Sequence, residues 1–153
     1  MQTIQNTFFC FAIAILFSCN SKEKNKESDK NEYSEIETVQ ESTELEKSIT
    51  RGKSLYNDFC VQCHLPNGKG TKGIFPPLDG ADWLVEKRTE SIRAVKYGQK
   101  GEIVVNGVTY NNAMPPMGLT DQEVADVMNY TMNSWSNEQE EMVTLEEVNA
   151  IKK

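Results

Sequence analysis

The chain has 153 residues, 38% hydrophobic and 25% charged, which allows one modest soluble core and excludes a polytopic membrane protein. A net charge of −7 argues against a nucleic-acid partner, because phosphate binding needs a basic face. The single histidine, His64, excludes catalytic histidine pairs and two-histidine metal sites. The acidic excess sits in residues 20–50 and 136–153, and the balanced stretch between them is where a folded domain is expected.

Phe8 to Phe17 is an unbroken apolar run, too short to cross about 30 Å of hydrocarbon as a helix but suited to the core of a secretory signal. Leu16-Phe17-Ser18-Cys19 then gives way to polar residues and resembles a bacterial lipobox, so 1–18 reads as a lipoprotein-type signal peptide and Cys19 as the lipidated residue. The expectation is an exported lipoprotein, anchored to a membrane and facing the periplasm; a soluble precursor cut nearby and an uncleaved anchor are the alternatives. Cys10 leaves with the signal. Residues 19–47 are rich in Lys, Glu, Ser and Asn, carry too little apolar surface to offset their ordering entropy, and read as a disordered tether.

The expected domain spans 48–135. Ile49, Gly52, Tyr56 and Phe59 mark one helical stripe, with Gly52 suggesting a close approach by a second helix. The stripe runs into Cys60-Val61-Gln62-Cys63-His64, the C-x-x-C-H pattern of covalent haem attachment. Two thiols three residues apart reach the two vinyl groups on one porphyrin edge, and the next residue carries an imidazole beneath the iron. A thioredoxin-like redox pair is the rival reading, but no strand pattern precedes Cys60. A zinc site lacks ligands, and a structural disulfide is strained at this spacing.

Further along, Lys69–Gly73 reads as a surface turn, Thr89 to Tyr97 as a short helix ending at Gly98, and Glu102–Tyr110 as a hairpin turning at Asn106-Gly107. The next stretch, Asn111–Gly118, holds Met114 and Met117 around Pro115-Pro116. A thioether is a soft ligand suited to haem iron, and the prolines stiffen its loop, so Met114 is the expected second axial ligand and Met117 a haem-edge or surface contact. Thr120-Asp121-Gln122-Glu123 is a capping box opening a helix with Val124, Val127, Met128, Thr131 and Trp135 on one face. Trp83 and Tyr110 read as core or pocket aromatics. Residues 136–153 read as a polar acidic tail, with a short amphipathic partner helix as the alternative, since Val143, Leu145, Val148 and Ile151 give only weak helical periodicity.

The stretch from about Lys47 to Trp135 resembles a class I cytochrome c domain, closest to small domains with an M-P-P loop that serve bacterial respiratory reductases, oxidases and dehydrogenases. The resemblance implies a mainly α fold, three to five helices around one covalent haem c, with a small β-hairpin before the methionine loop. It implies that the first and last helices cross near Gly52, that the Pro76 carbonyl accepts a hydrogen bond from the histidine ligand, and that Leu78 contacts the haem. The expected cofactor-binding set is therefore Cys60, Cys63, His64, Pro76, Leu78 and Met114, with His64 and Met114 on the iron. The implied function is electron transfer between respiratory protein partners, without catalysis, a small-molecule substrate or nucleic acid. A haem-based gas or redox sensor and a thiol–disulfide oxidoreductase are the alternatives. No second histidine is present to serve a sensor's distal side.

Overall fold

The structure, a computed structural model, describes residues 32–153, with side chains from residue 44 onward. The signal segment 1–18, Cys10, the proposed lipidation residue Cys19 and the start of the tether lie outside the described residues. The elements in chain order are α1 (Glu32–Phe59), α2 (Val61–His64), α3 (Asp82–Glu86), α4 (Arg88–Tyr97), β1 (Ile103–Val105), β2 (Val108–Tyr110), α5 (Asp121–Met132) and α6 (Leu145–Ala150). No helix among the described residues is long and apolar enough to cross a membrane.

The first helix starts at Glu32, well inside the 19–47 segment expected to lack structure. That segment is poor in apolar groups but rich in Glu and Lys, which are strong helix formers, and Glu44 pairs with Lys47 at 2.7 Å one turn on. Among the described side chains, the buried face of α1 is formed by Ser48, Gly52 and Tyr56. Ile49 is half-buried and Phe59 is 42% exposed, so the helix–helix seam is narrower than the expected stripe.

That seam is the crossing with α5. A Cβ on Gly52 would overlap the Asp126 carbonyl and lie 2.8 Å from the Tyr130 Cβ, so only glycine lets the backbones meet here. The crossing is locked by a polar cluster around the buried Asp126 carboxylate. Arg51 grips the Asp126 carboxylate through two hydrogen bonds of 2.6 and 2.7 Å, and Ser48 Oγ donates to it at 2.7 Å. Burial alone would push the Asp126 carboxyl up, but the hydrogen bonds from Arg51, Ser48 and Gln122 outweigh it and hold the group below the usual carboxylate range.

The α5 helix opens with the expected capping box. Glu123 donates its N–H to Thr120 Oγ1, and its carboxylate accepts from the Thr120 N–H at 2.8 Å. The helix ends at Met132, so Trp135 lies beyond it with φ 59° rather than on its stripe. From there its indole packs against Tyr56, Tyr130 and Gly68, and its Nε1–H donates to the Pro66 carbonyl at 3.1 Å.

The reading of 136–153 as a polar tail needs correction. Val143 and Val148 are fully buried and Ile151 nearly so, all within the main core cluster. Asn129, itself buried on α5, holds the Val143 backbone at both ends: its Nδ2 donates to the carbonyl at 2.9 Å, and its Oδ1 accepts from the N–H at 2.7 Å. Arg88 forms a two-pronged pair with Glu147 at 2.7 and 2.9 Å, and Lys96 donates to the Val148 carbonyl. The apolar residues here follow no clean period because they are held by side chains of α4 and α5, which local sequence does not reveal. The folded unit therefore continues past residue 135.

Candidate functional site

Cys60, Cys63, His64, Pro76, Leu78 and Met114 all line one cleft of about 1230 Å³, counting its open mouth. One wall comes from the end of α1, the single turn of α2 and the loop through Leu78. Here Cys60 N–H bonds to the Tyr56 carbonyl at 2.9 Å, carrying the α1 helix into the motif. His64 is 8% exposed, and its Nδ1 lies 3.0 Å from the Pro76 carbonyl. A carbonyl only accepts, so Nδ1 carries the proton, and Nε2 of the neutral ring keeps its lone pair for a metal. Burial lowers the His64 pKa against the opposing pull of the Pro76 hydrogen bond, which favours this neutral, ligating form.

The opposite wall is a β-arm. Its strands pair Ile103 with Tyr110 and Val105 with Val108 around Asn106 (φ 50°) and Gly107 (φ 72°), the left-handed pair of the expected turn. Below the strands Gln99 and Met114 pair through two backbone hydrogen bonds of 2.8 and 2.9 Å. Gly98 (φ 82°) seats this base, since a Cβ there would lie 2.7 Å from the Met114 carbonyl. Met117 also lines the cleft but makes no such backbone pair among the described residues, which distinguishes the two methionines. Trp83 and Tyr110 line the cleft as expected.

Cleft residues that motif reading did not assign come from the helices behind it: Ser91 and Val95 on α4, and Val127, Met128 and Thr131 on α5. The last three were legible as one helical face, but a buried face does not announce whether it meets protein or a cofactor.

Cys60 and Cys63 are not joined in a disulfide. Burial, with repulsion from Cys63, pushes the Cys60 thiol up to about 11, whereas a thiol–disulfide exchange centre needs a lowered value. The site thus has two thiols, a buried neutral imidazole and a braced thioether among mainly aliphatic and aromatic side chains. That donor set fits a haem held through sulfur, with soft and imidazole ligands for iron. No cluster of three or more His, Cys, Asp or Glu suited to a metal ion occurs among the described residues.

Comparison with known proteins agrees with this geometry. The Cytochrome c family model matches residues 49–135. Cytochrome c-552 of Thermus thermophilus is 39% identical over 83 residues, covering 51% of this chain and 63% of that protein. The cytochrome c subunit of gluconate 2-dehydrogenase from Pantoea cypripedii is 34% identical over 110 residues, covering 67% of this chain but 24% of the subunit. The FixP subunit of a cbb3-type cytochrome c oxidase from Sinorhizobium medicae is 28% identical over 102 residues, covering 64% and 34%. The chain thus spans less than two thirds of the length of each of these relatives.

Proposed function

The chain belongs to the cytochrome c family as a class I c-type cytochrome with one covalent haem c, and from that premise we propose that it is a single-electron carrier for respiratory redox proteins, with iron held by His64 and Met114. The observation that carries this reading is the meeting of His64 and Met114 in one apolar cleft beside Cys60 and Cys63. Bound haem c supplies an iron that changes by one electron between ferric and ferrous states.

The chain's own residues do the rest. Cys60 and Cys63 hold the cofactor against loss. Pro76 fixes the imidazole tautomer, and the Gln99 pairing would hold Met114 in place as a ligand. His64 and Met114 would both be spent as ligands to the iron, which would leave no site for substrate and favours carriage over catalysis. The aliphatic and aromatic walls would exclude water and, with the uncharged thioether, would raise the potential.

Phe59 at 42% and Ile74 at 46% exposure flank the cleft, with exposed Pro115 on the methionine side. Together they form a small apolar rim suited to brief docking by a redox partner. The electron-transfer names of the relatives support such partners, among them dehydrogenases and an oxidase. Attachment to a membrane through lipid on Cys19, on the periplasmic side, is the part of this reading that rests on sequence alone.

The test is Met114→Ala. The purified ferric protein should lose the weak red charge-transfer band of thioether-ligated haem, and its reduced form should bind carbon monoxide. Met117→Ala should keep the band. If the Met117 variant alone loses it, the ligand assignment is reversed; if wild type binds carbon monoxide readily, the sensor reading replaces the carrier.

A further inference from the structure

We propose that Asn106 and Asp82 form a clasp that holds the methionine arm closed, so that this pair governs how firmly the Met114 thioether is delivered without touching the cofactor. The proposal rests on Met114 being the ligand. The arm runs from Gln99 to Met114, with its base at the Gln99–Met114 pairing and its tip at the Asn106-Gly107 turn. At the tip, the Asn106 N–H donates to Asp82 Oδ1 at 2.9 Å and the Asp82 N–H donates to Asn106 Oδ1 at 2.9 Å. The Asn106 Nδ2 adds a third bond to the Gly80 carbonyl at 3.0 Å. A hairpin turn needs only the positive φ, which glycine supplies as readily, so the three bonds answer to something other than the turn.

What they grip is informative. The segment from Pro76 to Asp82 accepts the His64 Nδ1–H at its start and holds the arm tip at its end. It is itself fixed between these points. Leu78 and Asp79 N–H groups donate to the Gly68 carbonyl, Gly80 N–H donates to Asn137, and Asp79 accepts from Ser136. One short run of chain therefore references the methionine wall to the histidine wall. The pair lies at the surface, where water competes, so its loss costs little global stability. Val105 and Tyr110 seat the strands in the core, so the clasp governs the exposed tip between them.

The experiment uses the purified ferric holoprotein titrated with imidazole, which competes with the thioether for iron. Asn106→Gly preserves the turn and removes the two bonds made by the Asn106 side chain; Asp82→Ala removes the bond accepted from the Asn106 N–H without altering the turn; Asp82→Asn keeps an oxygen that accepts from that N–H. Imidazole should bind about tenfold more tightly to Asn106→Gly, which loses two hydrogen bonds of modest net worth, about fivefold more tightly to Asp82→Ala, which loses one, and within about twofold of wild type to Asp82→Asn. The pH at which the red band is lost should fall in the first two variants only, while urea midpoints stay close together. Equal imidazole affinity in all four proteins, with the band intact, overturns the clasp; so does Asp82→Asn behaving like Asp82→Ala. A wild-type protein that lacks the band and binds imidazole as tightly as Met114→Ala overturns the ligand reading instead, and the clasp with it.

Discussion

Replacing Gly52 with alanine reverses the usual sign of a helix substitution. In an open helical position the change stabilises by about 1 kcal/mol, because alanine has the higher propensity. At Gly52 the new methyl group falls on the Asp126 carbonyl and lies 2.8 Å from the Tyr130 Cβ. Carbon atoms are comfortable at about 3.5–4.0 Å, so α1 and α5 must separate by about 1 Å. Overpacking of this kind costs ~1–3 kcal/mol. The separation also stretches the bonds from Ser48 and Arg51 to the buried Asp126 carboxylate, adding ~1–3 kcal/mol for a group left poorly paired. After the propensity gain, the net loss is about 3 kcal/mol. With a urea m-value of about 2 kcal/mol/M, the unfolding midpoint followed by circular dichroism should drop by roughly 1.5 M. Combined with Asp126→Asn, the effect should be less than additive, because both changes act on the same contacts. An unchanged or raised midpoint in Gly52→Ala would refute the close helix crossing.

Asp126 predicts an acid dependence. Its carboxyl is held below its unfolded value, so its contribution is complete above about pH 4, where the unfolded group is ionised, and is lost as pH falls through the folded value. The urea-midpoint gap between wild type and Asp126→Asn should be widest near neutrality and close in acid; a constant gap would contradict this sign. Val143→Ala should cost about 2 kcal/mol, since two buried carbons are removed from a fully enclosed site, and a loss under about 0.5 kcal/mol, the usual limit for surface changes, would mean the 136–153 segment is not part of the cooperative core. Cys19→Ala should move the protein from the membrane fraction to the soluble fraction; unchanged partition would make the apolar run 8–17 itself the anchor.

Where local chemistry decides a structure, the sequence was legible. The Cys60–His64 motif, the Thr120–Glu123 capping box, the Asn106-Gly107 turn and the close approach at Gly52 each announce themselves in a few adjacent residues. Long-range pairings did not. Arg51 and Asp126 are distant in the chain, as are Asn129 and Val143 from any pattern that would couple them, and nothing in either neighbourhood names its partner. The same blindness hid the end of the folded unit, because Val143, Val148 and Ile151 owe their burial to α4 and α5 rather than to any helical period of their own. At the site, ligand types were readable, but the Gln99 pairing that separates Met114 from Met117 was not.

The only two tryptophans stand against different walls of the site: Trp83 lines the cleft, on the short helix gripped by the arm, and Trp135 backs the histidine loop, bonded to Pro66. Each is therefore a built-in optical probe of a different half. Swapping either for phenylalanine leaves a chain with a single emitter, whose quenching by the porphyrin reports one side alone during maturation or unfolding. The two halves can then be timed independently, with no dye attached.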